Sequence, residues 1–158
     1  MKKIIPYICR SIATLGPVGY IPWFPGTMGT ICAIPLFMLM REYLISGHYV
    51  FEPLLIACFL LVAVWIINQA LVLFHHRDDP SEIVLDEVVG FFVVMMREPL
   101  TLKTVIVAFL YFRFFDIVKP FGIHLLQNIP GGWGIVLDDV AAAYVAHVMM
   151  GITWLIFS

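Results

Sequence analysis

Charge is scarce in this sequence. Asp, Glu, Lys and Arg together make up 13% of its 158 residues, against a share of about 25% in ordinary soluble domains. Hydrophobic residues reach 62% and the mean hydropathy is +0.99. So few polar side chains cannot cover a water-facing surface, and the composition predicts a membrane protein. A formal net charge of -2 leaves no broad basic face, and no nucleic-acid-reading module is visible, which excludes DNA and RNA as partners. Cysteine is sparse too. Cys9, Cys32 and Cys58 show neither Cys-x-x-Cys spacing nor a basic arrangement typical of a thiolate nucleophile, so they read as small buried hydrophobes. The N-terminal stretch carries Lys2 and Lys3, but Pro6 and Arg10 interrupt it. It lacks the apolar core and cleavage site of a signal peptide and is expected to stay on the mature chain. No internal repeat and no low-complexity linker divides the sequence, so residues 1–158 are expected to form a single domain.

What the sequence does have is apolar runs. Residues 54–74 match the roughly 20 residues that cross a bilayer core. Residues 140–157 are slightly shorter and contain His147, but Ala141, Ala142, Ala143 and Gly151 suit close helix packing in lipid. Runs at 31–44, 88–96 and 102–115 are shorter still and are either short spans or core helices. The predicted fold is all-α, an integral membrane bundle of about five apolar helices. If all five cross, the polar segments 16–30, 77–87 and 116–139 fall on one face by parity. Lys2, Lys3, Arg10, Arg77 and Lys119 share that face, with Arg41, Arg97 and Lys103 opposite, so the positive-inside rule places it in the cytoplasm. His75 and His76 close the long run with no partner at zinc-ligand spacing and read as interfacial residues.

Four polar clusters interrupt this apolar chain. In residues 77–90, a helix opened by Pro80 would put Glu82 and Asp86 one turn apart, with Glu87 about 100° further round. Three crowded carboxylates repel unless a hard cation such as Mg²⁺ joins them; the plainer reading is an acidic helix start favoured by the macrodipole. Gly26, Thr27 and Gly29 sit at the start of an apolar helix, where free N–H groups make an anion cradle. Without a Walker lysine the stretch does not support nucleotide binding, and a glycine turn with Thr30 as helix cap explains it equally well. Arg113 and Asp116 share a helix face at i,i+3, with Lys119 and the helix-stopping Pro120 beyond. They form either a phosphate clamp with a metal-binding Asp or an ion pair with a headgroup anchor. Asp138 and Asp139 enter the last apolar run after a glycine-rich loop, as ion ligands or as caps.

Read together, the motifs Pro25-Gly26-Thr27-x-Gly29, Ile83-Val84-x-Asp86-Glu87-x-x-Gly90, Phe112-Arg113-x-x-Asp116-x-x-Lys119-Pro120 and Gly131-Gly132-x-Gly134-Ile135-x-x-Asp138-Asp139 resemble those of the phosphatidylglycerophosphatase A family of bacterial membrane lipid phosphatases, in the same order. The sequence departs from the family's pattern at residues 14–19 and ahead of Glu82. The resemblance implies an all-helical bundle in the inner membrane that removes the terminal phosphate of phosphatidylglycerophosphate, with Mg²⁺, to give phosphatidylglycerol. Asp86, Glu87, Asp116, Asp138 and Asp139 would then hold one or two Mg²⁺ and orient a water. Arg113 and Lys119 would offset the phosphate charge, and the backbone from Gly26 through Thr27 to Gly29 would cradle it. Neither a Cys-x5-Arg loop nor an Asp-x-Asp nucleophile motif is present, which leaves direct attack by water. Two rival classes remain. A cation-coupled carrier would want its carboxylates mid-span, whereas these sit at segment ends; a non-catalytic scaffold would use the same clusters as caps.

Overall fold

The computed structural model describes residues 4–45, 49–74 and 79–157. The readings placed on Lys2, Lys3, His75, His76 and Arg77 lie outside the described residues. Among the described residues six α-helices form: α1 (Ile5–Ala13), α2 (Pro25–Met40), α3 (Glu52–Leu71), α4 (Leu85–Val94), α5 (Leu102–Val118) and α6 (Gly132–Phe157). Short 3₁₀ segments at Val18–Tyr20, Tyr49–Phe51 and Pro120–Asn128 link them, a π-helical turn at Arg41–Ile45 extends α2, and no strand occurs among the described residues.

Helix α4 lies at the centre, packed by α2, α3, α5 and α6. Its 10 residues span about 15 Å, half of a bilayer core. It is apolar all round below its first turn, and Val88, Val89, Gly90, Phe91, Phe92 and Val94 are all buried, as a helix enclosed on every side requires. The run at 88–96 is therefore a core helix. Gly90 sets its distance from α5: a Cβ there would lie 2.5 and 2.7 Å from ring carbons of Phe112. Phe112 is fully buried and cannot swing aside. Overpacking of this kind costs about 1–3 kcal/mol, more than the ~1 kcal/mol a helix gains when Ala replaces Gly. Gly90→Ala is accordingly expected to lower the thermal unfolding midpoint in detergent, and a raised midpoint would show that α5 simply yields.

Helices α3 and α6 are long and apolar enough to cross a membrane, and only 33% and 22% of their most apolar stretches are buried. Leu61, Val62 and Trp65 on α3 and Tyr144, Ile152 and Leu155 on α6 face outward. A core helix of a soluble protein would turn such residues inward, so this apolar exterior marks association with a membrane. Cys58 belongs to the outward face of α3 and is exposed, against the expectation that all three cysteines are buried; Cys9 is buried and Cys32 is intermediate.

Helix α6 begins eight residues before the predicted run. The Asn68 Oδ1 of α3 accepts a hydrogen bond from the Gly132 N–H at 2.9 Å, satisfying one of the donors that a helix start leaves open. Glycine is required for this approach, because a Cβ on Gly132 would lie 2.7 Å from the Val64 carbonyl oxygen. Asp138 and Asp139 consequently sit inside the second turn of α6 and are not its caps.

Helix α1 lies ahead of the five predicted apolar runs. Pro6 occupies the first turn, where its missing N–H is harmless. Arg10 donates to the Tyr20 hydroxyl at 2.8 Å and lies over the Phe74 ring, while Cys9 and Ala13 point inward. At the opposite pole of the bundle, Arg41 donates to Glu52 Oε1 at 2.6 Å and to the Met95 carbonyl at 3.1 Å. The second Glu52 oxygen accepts from the Arg97 N–H at 3.1 Å. This buried pair ties the ends of α2, α3 and α4 together.

Candidate active site

The start of α2, the start of α4, the end of α5 and the first turns of α6 meet around one polar pocket of about 360 Å³. Gly26, Thr27, Asp86, Glu87, Arg113, Asp116, Lys119, Asp138 and Asp139 all line it. Gly29 does not. It packs on the core instead, where a Cβ would lie 2.8 Å from that of Val84. Gly26 has a different reason to be glycine, since a Cβ there would meet Glu87 Oε1 at 2.0 Å. Only a bare backbone lets that carboxylate reach the first turn of α2, whose N–H groups favour negative charge.

Asp86, Glu87 and Asp139 form the acidic centre, with one oxygen from each lying within 4.8 Å of the others. Asp86 Oδ1, Glu87 Oε2, Asp138 Oδ1 and Asp139 Oδ2 are buried without a hydrogen-bond partner. Buried acceptors are normally satisfied. Three of these residues, Asp86, Glu87 and Asp139, make up the close acidic centre, and a hard divalent cation there would satisfy their open oxygens, so this donor set fits Mg²⁺. The same crowding raises proton affinity. Burial, then the charges of Glu87 and Asp139, push Asp86 well above the usual carboxylate range. Burial first, helped by Asp116 and opposed by the Asp86 hydrogen bond and by Arg113, pushes Glu87 up to about 7.

The cationic side is equally built. Arg113 Nη1 contacts Asp116 Oδ2 at 2.6 Å and lies 3.9 Å from Glu87 Oε1. Lys119 donates to Asp138 Oδ2 and stands 3.8 Å from Asp116 Oδ1. Lys119 adopts a left-handed conformation, φ 44°, where α5 ends, and its N–H bonds to the Phe115 carbonyl at 2.8 Å. That tight stop ahead of Pro120 turns the chain at the pocket's edge.

Several expectations change in detail. Pro80 does not open a helix; the Ile83 N–H closes a turn on the Pro80 carbonyl at 3.0 Å and α4 begins at Leu85. Glu82 is therefore not one helical turn from Asp86, and the third carboxylate of the cluster is Asp139 from α6. Thr30 is no cap either, since it donates to the Gly26 carbonyl one turn back within α2, at 2.9 Å. Asp116 and Asp138, expected beside the metal, line the same pocket and are also engaged by Arg113 and Lys119. Asp79, given no role in the sequence reading, lines the pocket and accepts from Gln127 Nε2 at 3.2 Å; its place among the ionisable residues ahead of Glu82 was the signal.

A carboxylate centre suited to a divalent cation, faced by Arg113, Lys119 and a helix N-terminus, is the equipment of an enzyme that hydrolyses phosphate esters. Comparison with known proteins gives that class a family. The family profile described as Phosphatidylglycerophosphatase A matches residues 11–154. A Haemophilus influenzae protein named Phosphatidylglycerophosphatase A is 35% identical over 152 residues, 89% of this chain and 91% of that protein. Its Escherichia coli namesake is 33% identical over 130 residues, 81% of this chain and 73% of its own length. A Bacteroides thetaiotaomicron protein whose name proposes a phosphatidylinositol-3-phosphatase is 31% identical over 143 residues, 87% of this chain and 89% of its own. No solved structure matches. The chain belongs to the phosphatidylglycerophosphatase A family and is a phosphatase.

Proposed function

We propose that the protein removes the terminal phosphate of phosphatidylglycerophosphate, giving phosphatidylglycerol and inorganic phosphate, at the cytoplasmic face of a bacterial inner membrane. The names of the Haemophilus and Escherichia relatives support the substrate. The carrying observation is the set of orphaned carboxylate oxygens facing Arg113 and Lys119 across one pocket. Asp86, Glu87 and Asp139 would hold Mg²⁺, with Asp116 and Asp138 close behind. Bound there, the ion supplies positive charge to the phosphoryl oxygens and a more acidic water.

The chain's own groups do the rest. Lys119 offers a point charge and Arg113 a planar fork to the phosphate oxygens, each held in place by its aspartate. The first-turn N–H groups of α2 at Gly26 and Thr27 add donors aimed at the same anion. Water attacks phosphorus, the P–O ester bond breaks, and the glycerol oxygen leaves with a proton. No protein nucleophile is needed. The headgroup enters the pocket from the bilayer surface beside the outward-facing apolar helices, and a substrate made from cytoplasmic precursors would be met most directly from the cytoplasm. A cysteine placed at Ser81 should resist impermeant reagents applied outside intact spheroplasts; labelling from outside would reverse this orientation.

The deciding measurement is phosphate release by purified protein in mixed micelles. Turnover of phosphatidylglycerophosphate is expected with Mg²⁺, with loss in EDTA and recovery on readdition. Undiminished turnover in EDTA would remove the metal from the scheme. Faster turnover of phosphatidylinositol 3-phosphate would move the substrate towards the one named for the Bacteroides relative. No release from either lipid would leave the carrier or scaffold reading.

A further inference from the structure

A second cavity, apolar and about 760 Å³ in volume, runs between α5 and α6 outside the polar pocket. Val107, Leu110 and Phe114 form its α5 wall and Met149 and Thr153 its α6 wall. Its hydroxyls are already used: Tyr111 Oη and Thr153 Oγ1 share a hydrogen bond at 2.8 Å, and Thr153 also bonds to the Met149 carbonyl at 2.9 Å. The groove therefore presents methyl, methylene and ring surface to whatever enters. Leu110 and Phe114 remain 60% and 57% exposed, so no described part of this chain fills it.

Two observations name the occupant. The first is continuity with the pocket: Ile117, on the pocket lining, lies one turn of α5 from Phe114 on the same helix face. The second is length. From Ile117 to Val107 is ten residues of α5, about 15 Å, which is the depth of one leaflet of a ~30 Å hydrocarbon core. The same interval on α6 runs from Asp139 to Met149. A molecule with a phosphate at one end and a leaflet-long apolar tail fits both cavities at once. We propose that the α5–α6 groove holds one acyl chain of the lipid whose phosphate occupies the polar pocket, so that the enzyme recognises its substrate by tail as well as by headgroup. This rests on the lipid-phosphatase reading above and adds a tail-binding subsite to it.

The test fills the groove without touching the pocket. Leu110→Trp and Met149→Trp narrow it from either wall, while Leu61→Trp adds the same bulk to the exposed face of α3, outside it. Each variant is checked for a monodisperse, helical product and assayed with Mg²⁺ in mixed micelles against dipalmitoyl and dihexanoyl phosphatidylglycerophosphate. A tail segment expelled from the groove passes into micelle hydrocarbon rather than water, so packing contacts alone are lost and the corresponding rise in KM is about threefold. That rise is expected for the dipalmitoyl substrate in both groove variants, with kcat and the dihexanoyl KM nearly unchanged and Leu61→Trp like the parent. An equal rise for both chain lengths, or the same rise in Leu61→Trp, overturns the proposal. Should the parent hydrolyse neither lipid, the proposed function fails. A phosphatidic acid with a mid-chain diazirine then decides the groove alone. Photolabelling concentrated on the peptides around Leu110 and Met149 upholds it, and labelling spread evenly onto α3 sinks it.

Discussion

Asp139→Asn should reduce Mg²⁺-dependent phosphate release about a hundredfold or more while leaving the protein folded, the scale seen when one preorganised electrostatic contact is lost from an active site. The side chain is 3% exposed and shares its cluster with Asp86 and Glu87. Asparagine keeps the shape and removes the charge. A capping role cannot disguise the result, because Asp139 stands in the second turn of α6 and the helix start is closed from α3 by Asn68. Asp138→Asn is the informative comparison. Its carboxylate is held by Lys119, and an amide oxygen still accepts from that ammonium, so the loss should be smaller. Steady-state rates at saturating Mg²⁺ check both. The reverse order of losses would move the ion from the Asp86, Glu87 and Asp139 cluster to the Lys119 side of the pocket.

The largest effect on stability is expected far from the chemistry, at Arg41. Glu52 is fully buried and Arg41 is 8% exposed, so Arg41→Met removes the guanidinium from a buried carboxylate that also accepts from the Arg97 N–H. Breaking one side of such a buried pair costs about 3–5 kcal/mol, whereas replacing both sides with apolar groups is often neutral. Arg41→Met should thus lower the unfolding midpoint sharply in detergent, and Arg41→Met with Glu52→Leu should recover most of the loss. Turnover per folded molecule should hardly change. The 16 residues of α2 put roughly 24 Å between this pole and the pocket. A double variant as unstable as the single one would mean that the backbone bonds to Met95 and Arg97 carry the stability instead.

Which residues meet in the pocket was largely readable from the chain, because ionisable groups stand out in a hydrophobic sequence and helix parity sends their segments to one end. Which residue partners which was not. Helix α4 starts at Leu85 because Pro80 sits in a turn, a choice local propensity leaves open, and this drops Glu82 from the acidic centre. Gly131, Gly132 and Gly134 argued against a helix where α6 in fact begins, because the compensation comes from Asn68 and from close packing on α3, both distant in sequence. The Arg41–Glu52 pair crosses a connection whose geometry no periodicity predicts. Helix α1 was not among the apolar runs because it is short and carries Arg10, whose partners Tyr20 and Phe74 are supplied by the fold.

Asp138 and Asp139 are sequence neighbours, about 100° apart on α6, and each answers to a different group: Lys119 for one, the Asp86 and Glu87 carboxylates for the other. With Gly132 fastened to Asn68, the stretch from the fastening to the acid pair works as a ruler. Delete one residue within it and Asp139 arrives opposite Lys119 while Val140 arrives among the carboxylates. Insert one and Asp138 moves in among the carboxylates, leaving Lys119 to face the apolar Leu137. Changes in length at that point are therefore forbidden in a way that substitutions are not.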